Sequence, residues 1–254
     1  MEWRFGLFLQ FIMILNLGSQ NIQNSIYNRV YTMRAEKISK LPVIHFSADT
    51  QKELTTAFVR VSEFYESPYG EIHGKYFDLK EYKKLYAKDH EGRFTYYSDW
   101  TGFNIPSSSF KKFCELFSDS FTKKEQYVFN EVEKIIGDVF TRKKYYLIGT
   151  YKGPSQRSTF EHEIAHSLYS LKRNYKKVCD ETYKKIPEKT IEKIVLALKG
   201  LGYDEESLRD EIQAYSSTDS LAIFKDRFSL DFNEIPIEAI YDYQNNFYKF
   251  HKLE

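Results

Sequence analysis

The sequence predicts an α+β fold, predominantly helical, with a few-stranded sheet in its N-terminal part. Three observations lead there. From Asp49 onward, apolar residues return mostly at intervals of three and four, the period of helices that bury one face. Only residues 93–97 (RFTYY) and 145–150 (YYLIGT) concentrate the aromatic and β-branched residues of strands. With 11 Gly and 6 Pro in 254 residues, neither a loop-dominated nor a repeat architecture fits.

In chain order, Leu54, Phe58, Val61 and Phe64 share one face of a first helix, with Asp49 or Thr50 as N-cap and Pro68 and Gly70 past its end. Leu79, Tyr82, Leu85 and Tyr86 mark a shorter second helix. Residues 93–97 are expected as a strand. Residues 98–106 (SDWTGFNIP) read as turns, although Trp100 and Phe103 ask for a packing partner. Helices are expected over 107–117 and, capped by Thr122, through Val132, Ile135 and Ile136. A strand at 145–150 stops at Gly153-Pro154. After it come helical patterns alone: 159–171, 174–186, from Pro187 to Gly200, within 205–216, and after Pro236 with Ile237, Ile240, Tyr241 and Phe247. The chain then divides into an N-terminal segment (1–32), an aromatic-rich α+β region (33–143) and a mostly helical region (144–254).

Residues 5–15 (FGLFLQFIMIL) are apolar apart from Gln10, short for a bilayer span and similar to the core of a secretory signal. Arg4 precedes them and Gly18-Ser19 follows, but Glu2 offsets Arg4 and no A-x-A site is present. Secretion or membrane anchoring through residues 5–19 is one reading; a translation start near Met33, with a cytoplasmic product, is the other. Lys and Arg number 37 against 36 Asp and Glu, so no long-range field calls for nucleic acid or acidic lipid. Local lysine clusters such as Lys83-Lys84 alternate with acids and read as solvated helix faces. Cys114 and Cys179 are too few for a disulfide framework and are expected as buried free thiols.

The chemistry-bearing stretch is residues 158–169, STFEHEIAHSLY. On a helix, His162 and His166 lie one turn apart on one face and can aim both imidazoles at one ion about 2 Å away. Glu163, slightly around the helix, can reach a water on that ion without ligating it. Ser158 as N-cap with Glu161 three residues on fits a capping box. Phe160, Ile164, Leu168 and Leu171 supply an apolar stripe to anchor the helix. Without a helix-borne site, the two histidines would be ordinary surface or core residues.

Catalytic zinc usually takes three protein ligands and a water. The metzincin continuation needs Gly at 169 and His at 172; Tyr169 and Lys172 exclude it. A carboxylate on a later helix is the common remaining choice. In residues 208–215 (LRDEIQAY), Leu208, Ile212 and Tyr215 form a buried face, and Glu211 neighbours all three. A buried carboxylate needs a partner, and a cation would serve. Asp210, on the polar side with Glu206 and Gln213, is the second choice, and a buried Lys or Arg beside Glu211 is the metal-free alternative.

HEIAH followed by a helix-borne glutamate resembles the gluzincin class of zinc metallopeptidases, which includes thermolysin. HEIAHSLY with DEIQAY is also similar to a pattern in HExxH proteins of bacteria and large viruses. The resemblance covers roughly residues 158–219 and leaves the first 150 without a counterpart. Glu211 stands 45 positions after His166 (211 − 166), wider than in thermolysin-like enzymes, with an inserted helical pair over 174–200 filling the gap.

These readings lead to a zincin-like catalytic region with one Zn²⁺ on His162, His166 and Glu211. Glu163 is the expected general base and a peptide or protein the expected substrate. Tyr215, one turn beyond Glu211, is the nearest donor for a developing oxyanion, or else a core tyrosine; His251 is a further candidate. The resemblance also implies that the strand before the motif helix borders the cleft and pairs with extended substrate, which nominates Tyr146, Ile148 and Gly149 for substrate binding. Two competing readings are a zinc-stabilised binding or regulatory protein and a metal-free interaction protein. Glu163 speaks against the first, because a structural zinc needs no base.

Overall fold

A computed structural model describes residues 32–38, 41–201, 203, 207–216 and 238–251. The chain divides into two units, Met1–Met33 and Arg34–Glu254, and every element below lies in the second. The signal-like stretch at 5–19 falls outside the described residues. Among the described residues, no helix is long and apolar enough to cross a membrane.

The fold is predominantly helical around one small mixed sheet, an α+β arrangement. Four strands, β1 (Arg34–Lys37), β2 (Val43–Ala48), β3 (Gly102–Pro106) and β4 (Tyr146–Tyr151), stand in the order β1-β2-β4-β3. β1 and β2 are antiparallel, β2 and β4 parallel, and β3 and β4 antiparallel, with Gly102 opposite Thr150 and Ile105 opposite Leu147. The sheet takes three strands from the region 33–143 and one from 144–254, so the expected boundary at 143/144 runs inside one compact unit.

Strand content is where sequence and structure part. Residues 93–95 form no strand, and Tyr96–Asp99 is a short helix, α3, after α1 (Gln51–Glu66) and α2 (Leu79–Asp89). The aromatic density of RFTYY serves a side-chain cluster instead: Tyr96, fully buried, meets Tyr82 and Tyr86 edge to face at 5.7 and 5.6 Å. Conversely, β3 hides within the turn-like SDWTGFNIP, because Gly102 opens it and Pro106 closes it; an edge strand tolerates both. β1 (RAEK) has no apolar pattern, and β2 (VIHFSA) is buried almost continuously, so neither shows strand alternation.

The helices follow the apolar periodicity closely. Thr50 caps α1 by accepting from the Glu53 amide at 3.2 Å, and Thr122 with Glu125 forms the capping box of α5 (Lys123–Ile136). Between them α4 (Ser107–Phe117) sends Phe110, Phe113 and Phe117 into the core, where Phe113 and Phe117 approach Phe64 of α1. The motif helix is α6, Gln156–Leu171, and it starts before the expected residue 159. Its N-cap is Ser155, so the Ser158/Glu161 capping box does not form. Ser158 lies inside the helix with its hydroxyl on the Ser155 carbonyl, and Glu161 pairs with Arg157. The Gly153-Pro154 turn, closed by the Gln156 amide on the Gly153 carbonyl, already launches the helix there.

α7 (Arg173–Tyr183), α8 (Glu188–Gly200), α9 (Leu208–Ser216) and α10 (Glu238–His251) complete the described elements. Ile164 and Leu168 of α6 are fully buried against Val43, Ile148, Tyr175 and Phe247, with Phe160 and Leu171 packed at the margin. Each such aliphatic side chain contributes about 1.5–3 kcal/mol. This anchoring fixes α6 across the sheet. Cys114 and Cys179 are both free and buried.

Candidate metal centre

His162 and His166 project from one face of α6 and meet Glu211 of α9. His162 Nε2 and His166 Nε2 are 3.2 Å apart, His166 Nε2 and Glu211 Oε1 3.4 Å, and His162 Nε2 and Glu211 Oε2 3.6 Å. A tetrahedral ion with bonds near 2.0–2.1 Å needs ligand atoms about 3.3–3.4 Å from one another. The imidazole pair stands at about that spacing, the two Glu211 oxygens each face one imidazole, and one ligand atom from each residue lies within 4.8 Å of the others, so the set suits a divalent cation of the zinc type.

Charge in the site makes the same demand. Glu211 is 4% exposed, its Oε2 has no hydrogen-bond partner, and among the described residues no Lys or Arg pairs with it. Burial alone would lower the His166 imidazole, but the carboxylates of Asp210, Glu211 and Glu163 outweigh it and push the group up to about 10. The cluster thus draws positive charge to itself, as a proton or as an ion. Asp210 faces the other ring nitrogen, with Oδ1 3.0 Å from His166 Nδ1. That contact leaves Nε2 to face a cation, and Asp210 would then stand behind the His166 imidazole.

Asp210 is itself held by a chain of contacts across three helices. Gln213 Nε2 donates to Asp210 Oδ1, Tyr175 of α7 donates to Gln213 Oε1, and Gln244 of α10 donates to the Tyr175 hydroxyl, each at 2.8 Å. Apart from Asp210, these groups are buried, so the orientation of His166 is tied to the packing of α7, α9 and α10.

Glu163 is 5% exposed and its Oε2 lacks a hydrogen-bond partner. Burial raises its carboxyl; His162 and His166 oppose that, Glu211 adds to it, and a hydrogen bond from Asn104 opposes it. Asn104 belongs to β3 and accepts the Tyr146 hydroxyl at 2.8 Å on Oδ1. Gly102, at the start of β3, lets the strand approach Glu163: a Cβ there would collide with Glu163 Oε1 and Thr159 Cγ2.

Around these groups lies a cavity of about 620 Å³ whose lining includes Glu66, Gly102, Asn104, Tyr203 and Tyr215. Tyr215 packs edge-on against His162, ring centroids 4.6 Å apart, and its hydroxyl stands 3.1 Å from that of Tyr203. The His251 side chain lies outside the described residues.

The expected substrate-binding strand needs correction. Tyr146, Ile148 and Gly149 are buried in β4, which pairs with β2 on one side and β3 on the other and has no free edge for a peptide. Tyr146 instead supports Asn104, and Gly149 packs against Leu54 and Phe58. The edge strand on this side is β3, from which Gly102 and Asn104 face the cavity. Sequence reasoning also passed over Glu66 at the end of α1, where burial, together with Glu211 and Glu163, pushes the carboxyl well above its usual range. Glu66 escaped because it comes from a helix remote in sequence from the motif. Gly102 and Asn104 escaped because their strand was read as turns.

Comparison of the chain with family models, curated proteins and solved structures finds no match.

Proposed function

We propose that the chain is a zinc-dependent metallopeptidase of gluzincin type, with a zincin-like arrangement of α6 and the sheet, acting on peptide or protein substrates. The convergence of His162, His166 and Glu211, with one ligand atom from each within 4.8 Å of the others, carries this reading. A zinc ion on these three residues would acidify a water and polarise the scissile carbonyl. Glu163 takes the proton from the attacking water and delivers it to the leaving amine, and its raised carboxyl suits the second task. Asn104 aims Glu163 from β3. Tyr203 and Tyr215 place hydroxyl donors at the wall of the same cavity, where charge develops on the carbonyl oxygen. An extended peptide adds to the outer edge of β3, antiparallel sheet extension being the simplest way to hold a backbone beside Glu163.

The test is Glu163→Gln. Peptide hydrolysis should fall by about two to four orders of magnitude, while bound zinc stays at the wild-type level. Undiminished hydrolysis in the variant would remove Glu163 as the base.

A further inference from the structure

The cavity that holds the catalytic groups extends away from them to Tyr86, Asp99 and Trp100. Among the described residues no Lys or Arg lines this cavity, whereas Glu66, Asp99, Glu163 and Glu211 do. A second cavity, which shares Glu66, Asn104, His166 and Glu211 with the first, is lined by Lys176 and Arg209, but both are engaged: Lys176 bonds Tyr169 and Asp180, and Arg209 lies over the Tyr183 ring. At the Asp99 end of the first cavity no described cation offsets the acid.

Asp99 is built into that end. Its Oδ2 accepts both the Tyr86 and the Thr95 hydroxyls, which fix the carboxylate. Tyr86 is held in turn by His90, whose ring stacks on it at 3.7 Å and whose Nδ1 bonds the Tyr86 carbonyl. Asp99 Oδ1 has no protein donor among the described residues. The neighbouring Trp100 Nε1–H is shielded from water and has no acceptor. This end of the cavity thus offers an anchored carboxylate flanked by aromatic rings. Asp99 is three residues from Gly102, so their Cα atoms are at most about 11 Å apart. Gly102 adjoins Glu163.

We propose that Tyr86, Asp99 and Trp100 form a subsite for a lysine or arginine side chain of the substrate, placed within about three residues of the bond cleaved. The inference rests on the peptidase reading above. The cationic head meets the Asp99 carboxylate at its unpaired Oδ1, beside the Tyr86 and Trp100 rings.

The experiment uses peptides identical except for Lys, Gln or Glu at a single position scanned along the chain. Cleavage is measured with the zinc-loaded wild type and binding with Glu163→Gln. At one position Lys should exceed Gln about fivefold in both readouts, the scale of one exposed charge pair, with Glu poorest and the gap shrinking at high salt. Asp99→Asn should abolish the Lys advantage, and Asp99→Lys should transfer it to Glu. Cleavage and binding indifferent to charge at every position would overturn the subsite and leave the peptidase reading standing. An Asp99-dependent binding preference without any cleavage by the wild type would uphold the subsite and overturn the peptidase reading. Neither binding nor cleavage would overturn both.

Discussion

Glycine at 102 has a specific task, because the first residue of β3 passes so close to Glu163 that a single added methyl group meets the carboxylate. Gly102→Ala should displace the proposed base and lower kcat/KM by about a hundredfold, the usual effect of misplacing a catalytic group by an ångström. Zinc content should be unchanged, because the atoms nearest the new methyl group belong to Glu163 and Thr159 and not to the three ligands. An alanine variant as active as the wild type would mean that Glu163 does not work from this position. At the same scale, His162, Glu163, His166 and Glu211 were legible in the sequence. The i, i+4 histidines and the inward-facing glutamate are local helical facts that survive any packing. Gly102, Asn104, Glu66 and Tyr203 were not, since their membership in the site depends on which strand and helix end the fold brings beside α6.

Helix α1 carries a second kind of cost. Glu63, one turn before Glu66, is 5% exposed, and burial outweighs the opposing influence of the nearby Ser67, Tyr82 and Tyr96 hydroxyls to hold its carboxyl up at about 7. The folded value lies above the ordinary 4.5, so the native state holds this proton where the unfolded chain has released it. Stability from this group is therefore complete below pH 4.5, declines as pH rises toward 7 and is flat above. Glu63→Gln should raise unfolding free energy at pH 8 by about 2–3 kcal/mol relative to its effect at pH 5, read from urea unfolding at both pH values. An equal effect at the two pH values would contradict the buried, protonated carboxyl. For elements, helix periodicity proved readable and strand content less so. The apolar faces of α1, α4, α5 and α6 are set by each helix's own spacing. Strands β1 to β3 draw their identity from neighbours up to a hundred residues away, as in the pairing of His45 with Ile148, and leave little local trace.

Across the whole described unit, the sheet and the helices divide the labour. β4 is the buried axis, β3 the edge that meets Glu163, and α6 lies across both with its apolar stripe in the core and its histidines in the cleft. α9 returns after α7 and α8 to supply Glu211, and the contacts from Gln244 through Tyr175 and Gln213 to Asp210 tie that return to α10. The long sequence gap between His166 and Glu211 is thus spanned by helices that brace the ligands. The proposed chemistry depends on three side chains sharing one ion. Elemental analysis of the purified chain after equilibration with zinc and removal of the excess measures that directly. One zinc per chain is predicted, falling to a small fraction in both His162→Ala and Glu211→Ala while the variants stay folded. A wild-type chain that retains no zinc, or variants that retain it in full, would contradict the account.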